Sequence, residues 1–365
     1  TQGVSSAASD VYKRQIVLLV FILTIMGQYG HVLQTEAVFS TQKETVSAKS
    51  QTGKRLTGQK SEEKVYASGI PIGIYIKTEG ILVLGLQQID GKNSPASCKI
   101  KAGDYILKLN AQNITTKQQF IRLLQKNGEK EVVLTLKRKN KKIKVKVQPV
   151  YSAKNKCYQI GVWIRNDTQG IGTITFIRED GTFAALGHGI NDGDIGVRFL
   201  IEGGSAYRTN ISSILKGKSG MPGEIIGTID YSPQNYLGEI YANTNGGILG
   251  KITENKKEFF TGKKISIAKK SEVKTGKAYL RSSISGKSKD YSIEIEKVFF
   301  HEKNSLKTLK IRVTDSELIT LTGGIIQGLS GSPILQNGKL VGAVTHVLID
   351  NPQMGYGIFA ESLSL

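Results

Sequence analysis

The stretch "GGIIQGLSGSPILQNGKLVGAVTH", residues 323–346, sets Ser330 among glycines and a proline. Its flanks read as strands, and a strand that only had to pack would carry a β-branched or aromatic residue at that point. Glycine at 328 and 331 lets the backbone turn sharply and frees its N–H groups to face a bound group. In G-L-S-G-S-P the N–H groups of Gly328 and Ser330 can face one side of a tight turn, as an oxyanion hole requires. Pro333 ends that turn. Ser330 is therefore a candidate nucleophile, weighed against the plainer reading of a residue in a turn.

A serine nucleophile needs a base. The chain has four histidines. His188, in "AALGHGIND", follows a small-residue strand and is flanked by Gly187 and Gly189, so a second strand can approach. His31 lies in an N-terminal apolar segment, His301 in "VFFHEKN" beside charged residues, and His346 on the strand after the serine. The third member of such a constellation is a carboxylate that fixes the imidazole tautomer. Asp315 in "IRVTDSEL" and Asp230 in "GTIDYSP" are candidates, and Asp192 and Asp194 follow His188 closely. Spacing alone does not choose among them.

Composition narrows the alternatives. The formal charge of +20 favours anionic neighbours, but no RNP, zinc-finger or helix-turn-helix pattern accompanies it, so nucleic acid is not expected as a partner. The local peak "KRKNKKIKVKV", residues 137–147, alternates lysine with Ile and Val and reads as the solvated face of a strand. No histidine stands in a ligand spacing, and two cysteines, Cys98 and Cys157, make no redox or metal motif. Neither metal nor cofactor is expected, and a Cys98–Cys157 bridge stays open.

Residues 13–29, "KRQIVLLVFILTIMGQY", place two positive charges before an apolar run. The run is short for a full span, which needs about 20 residues. It fits a signal core or a short anchor, so export and attachment to a membrane are expected. The first twelve residues match nothing downstream and read as a doubtful start, and "FAESLSL" reads as stopping before a normal terminus. Residues 38–65 are polar and read as a linker.

From residue 66 short apolar runs begin. "KAGDYILKLNAQNI", a helix "TKQQFIRLLQK" with Phe120, Ile121, Leu123 and Leu124 on one face, and the strand pair at 131–150 make a unit that resembles a PDZ domain. In that family an extended peptide joins a sheet edge and its terminal carboxylate meets backbone N–H groups. Ile72, Gly73 and Ile74 are the candidate loop for that carboxylate. After Cys157 strand-like runs with frequent glycine predict an all-β barrel or sandwich.

"GLSGSPILQNGKLVGAV" resembles the nucleophile region of chymotrypsin-like serine proteases. With a PDZ unit before the protease and "ALGHGI", "VTD", "TGGIIQGLSGSPI", "GKLVGAVTHVLIDNP" and "GYGIF" in order, the chain resembles the stage IV sporulation protein B peptidases of endospore-forming bacteria. The resemblance implies a mainly β chain, a PDZ domain (66–150) followed by a chymotrypsin-like double-barrel serine peptidase (151–365). It implies His188 as base, Asp315 as orienting acid and Ser330 as nucleophile. It also implies a self-cleaving signalling protease, exported from the forespore and anchored or released there. Its substrate would be a membrane-anchored inhibitor whose cleavage lets a late sigma factor be processed. On chymotrypsin-like logic Thr345 and His346 line the substrate pocket. The PDZ groove would hold a chain terminus, its own or the substrate's. The rival reading is a non-catalytic PDZ adaptor, in which every motif residue is a turn glycine or a packed polar group.

Overall fold

The computed structural model of the protein describes residues 63–253, 259–260, 262–300 and 305–363. The apolar segment with His31, His301, and all but the end of the expected linker lie outside them. Strands β1 (Lys64–Ala67) and β2 (Pro71–Leu86) come first. β3 (Tyr105–Leu109), β4 (Gln112–Asn113), helix α1 (Lys117–Asn127), β5 (Val132–Arg138), β6 (Lys141–Val147), β7 (Val150–Ser152) and β8 (Cys157–Gln159) follow. β9 (Val162–Ile177), β10 (Thr182–Ala185), β11 (Ile201–Leu215), β12 (Glu224–Ile229), β13 (Tyr236–Asn243), β14 (Ile248–Ile252) and β15 (Ile265–Ser266) make the middle of the chain. The last part holds β16 (Gly276–Ser282), β17 (Lys289–Val298), β18 (Leu309–Val313) and helix α2 (Ser316–Thr322). β19 (Pro333–Gln336), β20 (Lys339–Leu348) and β21 (Asn351–Phe359) complete it.

Two antiparallel barrels result. β9, β10, β14, β13, β11 and β2 pair in that order, and β2 returns to β9 to close the ring. β16, β17, β18, β21, β20 and β19 close the second. Alternation along each strand sends one set of side chains inward. Ile72, Ile74, Ile174, Phe183, Leu237 and Ile240 fill the first core, and Leu280, Ile293, Ile311, Val341, Val344 and Phe359 the second. The double-barrel expectation is met.

The PDZ lobe has its own core, built from Ile81, Val83, Ile106, Phe120, Leu124 and Leu134 among others. Thr116 caps α1 by accepting the Gln119 N–H at 3.2 Å. Phe120 and Leu124, one turn apart, point inward, whereas Ile121 is 42% exposed and not part of the buried face. β6 ends the path of its sheet, and its exposed Lys142, Lys144 and Lys146 alternate with Ile143, Val145 and Val147. Charge along an open edge opposes pairing with another chain, so these lysines are the solvated strand face expected.

The boundary between lobe and barrel differs from the expected one. β2 and β9 are each 16 residues long and run through both parts. Pro71–Lys77 pairs with residues 167–173 in the barrel, and Leu82–Leu86 pairs with residues 162–165 in the PDZ lobe. Residues 66–77 thus belong to the barrel, and 151–165 to the lobe. Between the two ladders β2 bulges, and buried Thr78 places its Oγ1 2.6 Å from Gly80 O and 2.9 Å from Asn166 O. A continuous two-stranded ribbon, not a flexible linker, joins the parts. Cys98 and Cys157 are free thiols.

Phe120 is 2% exposed, so Phe120→Ala should lower stability by about 3–5 kcal/mol. Urea unfolding measures this. A loss under about 1 kcal/mol would show that Phe120 does not fill the lobe's core.

Candidate active site

Ser330 lies in the loop between α2 and β19. The run 323–327, expected as a strand, is a loop that follows a helix. It is held by β12, where Ile225 N–H donates to Gln327 O at 2.9 Å and Gln327 N–H to Gly223 O at 2.8 Å. Gly328 (φ +99°) and Gly331 (φ +94°) take backbone conformations that side-chain-bearing residues rarely adopt. A Cβ on Gly331 would stand 2.1 Å from Thr173 O and 2.4 Å from Leu186 N. The approach of three segments thus depends on the missing side chain.

The direction of the N–H groups follows from which carbonyls are held. In a planar trans peptide the N–H points opposite to the preceding C=O. Gln327 O is turned to Ile225, so the Gly328 N–H points away from β12. Leu329 O accepts the Ser332 N–H at 2.9 Å, which turns the Ser330 N–H the other way. Among the described residues neither the Gly328 nor the Ser330 N–H donates to a protein acceptor. Two unspent donors beside a serine meet one requirement of an oxyanion hole.

His188 follows β10, and its loop meets the Ser330 loop at Thr173 of β9. Leu186 N–H donates to Thr173 O at 3.1 Å, next to the Thr173 N–H that donates to Ser330 O at 3.0 Å. Leu186 holds φ +74°, a strained value for leucine. Its buried side chain packs in the first core. Gly187 in turn lies against the second barrel, where a Cβ would meet Val344 O at 2.9 Å. Beyond the imidazole, Asn243 accepts the Ile190 N–H at 2.8 Å and donates to Ile190 O at 2.9 Å. The His188 Nδ1 is 3.0 Å from Gly189 O. A carbonyl only accepts, so Nδ1 carries the proton and Nε2 is left as a base.

Ser330 Oγ donates to Thr345 O at 3.1 Å. The Thr345 side chain is buried and donates to Leu306 O at 2.9 Å, so only its carbonyl faces the serine. The pocket expectation for Thr345 is corrected accordingly. His346 lines a space of about 390 Å³ with His188, Leu186 and Gly170, a space whose lining does not include Ser330. The two imidazole centroids are 5.6 Å apart, and His346 Nδ1 is buried with no partner among the described residues. Burial pushes His188 below its ordinary 6.5. Burial, then the neighbouring His188, then Lys307, push His346 down to about 4.

No candidate carboxylate meets the His188 ring. Asp315 is the N-cap of α2, accepting from Glu317 and Leu318 N–H at 3.1 Å each and from Ser292 N–H at 3.2 Å. The "TDSEL" run starts a helix there. Asp230 braces an exposed turn through Ser232 and Asn235, and Asp192 and Asp194 pair with Arg165. Thr173, Thr175 and Asn243, which sequence reading passed over, are the side chains that hold the two loops. Their only signal is polarity at strand positions, buried at Thr173 and Thr175 and half-buried at Asn243.

The PDZ groove is also displaced from the expected place. Ile72, Gly73 and Ile74 lie in the wall of the first barrel, paired with residues 170–172. The second Ile-Gly in the chain, Ile160–Gly161, faces α1 across a groove of about 340 Å³ lined by Ile121, Leu124, Val162 and Trp163. Gln125 fixes that loop, donating to Tyr158 O at 2.8 Å and accepting the Tyr158 N–H at 2.9 Å.

Residues 156–364 match the SpoIVB peptidase S55 family. The chain belongs to the SpoIVB peptidase S55 family. Residues 91–138 match a PDZ domain. No curated protein sequence matches the chain. Among solved structures, the PDZ domain of the SdrC-like protein of Listeria monocytogenes is 19% identical over 24% of this chain and 90% of its own, with a TM-score of 0.22. The corresponding domain from Listeria innocua is 24% identical over 24% and 94%, TM-score 0.22. The HtrA-type protease AlgW, solved with a decapeptide, is 8% identical over 81% and 62%, TM-score 0.32. As a SpoIVB peptidase S55 member, the chain is a serine endopeptidase.

Both imidazoles favour the neutral form in the fold, so the stability this gives is present above pH 6.5 and is lost as pH falls toward 4. A base must be neutral, so kcat/KM should rise along an acidic limb centred below pH 6.5 and stay level to neutrality. A limb centred above 7 would contradict this. Separately, Asp315→Ala should cost about 1 kcal/mol of stability and Asp315→Ser, which keeps a cap, much less. Equal melting temperatures for the two variants would remove the capping role.

Proposed function

We propose that Ser330 is the nucleophile and His188 the base of this serine endopeptidase. The observation that carries the proposal is the convergence on Thr173 of the Ser330 loop and the His188 loop, with the Gly328 and Ser330 N–H groups unspent. The serine hydroxyl leaves Thr345 O, gives its proton to His188 Nε2, and its oxygen attacks the peptide carbonyl. The oxyanion is held by the Gly328 and Ser330 N–H groups. His188 then protonates the leaving amine, and water, activated by the same nitrogen, releases the acyl group. In the resting geometry the Gly189 carbonyl sets the imidazole tautomer, a duty the family resemblance gives to Asp315.

The S55 membership supports a finer reading. The enzyme acts as a sporulation signalling protease, exported into the space between forespore and mother cell. It cuts a membrane-anchored regulator so that a late sigma factor is processed, and it cuts itself near the N-terminus. The PDZ groove beside Ile160–Gly161 takes an extended peptide, its own or the substrate's, with apolar side chains over Ile121 and Trp163.

The test is cleavage of the membrane-anchored regulator by the full chain, followed by mass spectrometry of the fragments. Ser330→Ala and His188→Ala should each reduce cleavage at least about 10³-fold, and sporulating cells carrying Ser330→Ala should not process the sigma factor. Cleavage at parental rate by Ser330→Ala would overturn the assignment. Trp163→Ala should weaken substrate capture and leave the chemical step unchanged; a parental KM would remove the groove from substrate binding.

A further inference from the structure

We infer that Thr173 is a positioning residue for the oxyanion hole, an inference that rests on Ser330 being the nucleophile. Thr173 is fully buried on β9, a strand of the first barrel. Three of its groups are spent on the active-site loops. Its N–H donates to Ser330 O at 3.0 Å and its carbonyl accepts the Leu186 N–H at 3.1 Å. Its Oγ1 donates to Gly328 O at 2.7 Å.

The third bond is the one a strand position does not require. The two donors of the hole belong to the peptide units 327–328 and 329–330, and the unit 328–329 lies between them. Gln327 O is held by Ile225 and Leu329 O by Ser332. The intervening carbonyl, Gly328 O, has the Thr173 hydroxyl as its partner. Gly328 has no side chain to restrict rotation. Without the hydroxyl, the unit 328–329 is free to rotate, and because it is bonded to both flanking units its rotation pulls against the Ile225 and Ser332 bonds that set the directions of the Gly328 and Ser330 N–H groups. A misaimed donor weakens the transition state more than the ground state, because the charge exists only in the transition state.

Thr175 is the internal comparison. It is equally buried on the same strand, and its Oγ1 donates to Gly331 O at 2.7 Å. Gly331 lies beyond both donor-bearing units. Loss of the Thr175 bond therefore costs a similar buried hydrogen bond without freeing the segment between the donors.

The experiment measures inactivation of the full chain by a fluorophosphonate, separating the maximal rate kinact from the half-saturation constant KI. Parent, Ser330→Ala, Thr173→Val, Thr173→Ser and Thr175→Val are compared, each with its melting temperature. Thr173→Val keeps the strand's backbone bonds and the side-chain volume and removes the hydroxyl. We expect kinact to fall about 10- to 100-fold, short of the loss of a whole donor, with KI changed less than about 3-fold. Thr173→Ser should restore most of the rate. Thr175→Val should lose comparable melting temperature with a much smaller change in kinact. If kinact of Thr173→Val stays within about 2-fold of the parent, or falls no further than that of Thr175→Val, the positioning role is wrong while the nucleophile stands. If Ser330→Ala labels like the parent, or a folded parent does not label, the nucleophile assignment falls and this inference with it.

Discussion

Pairing between β2 and β9 is the constraint on which the rest of the molecule depends. At one end the ribbon forms a wall of the PDZ lobe, with Val162–Ile164 lining the groove against α1. At the other it closes the first barrel and presents Thr173 and Thr175 to the second barrel. Each β9 residue advances about 3.3 Å, so the peptide groove and the nucleophile loop are about 30 Å apart on one uninterrupted strand.

Close approach of the two barrels is what makes a site out of separate loops. Gly187 leaves room for the Val344 carbonyl, and Gly331 for Thr173 and Leu186, where a Cβ would clash. The nucleophile loop then holds its carbonyls at 327–330 by four different bonds, to Ile225, Thr173 Oγ1, Ser332 and the Thr173 N–H. Among the described residues, the Gly328 and Ser330 N–H groups, His188 Nε2, and the buried Ser332 Oγ and His346 Nδ1 remain without protein partners.

Much of this was legible in the sequence, for physical reasons. Glycines at 187, 189, 328 and 331 announced close backbone approach, and they lie in the two loops that both bond Thr173. The helix at 117–127 and the β5–β6 hairpin followed from apolar periodicity. Other features were hidden. "TDSEL" reads as a strand end until the Asp315 side chain is seen capping α2. Ile-Gly recurs along the chain, at 72–73 and 160–161 among other places, and only the long-range pairing of β2 with β9 decides which faces the groove. Thr173 and Thr175 read as ordinary alternation in "GIGTITFI". Their partners lie in the other barrel, beyond the reach of any local pattern.

The most direct test of the account is to find the atom that reacts. The full chain is treated with a fluorophosphonate at neutral pH, digested, and the modified residue is mapped by tandem mass spectrometry. The account predicts one adduct, on Ser330, that does not form when the protein is unfolded beforehand. An adduct on another serine of the folded chain, or equal labelling of the unfolded chain, would contradict it.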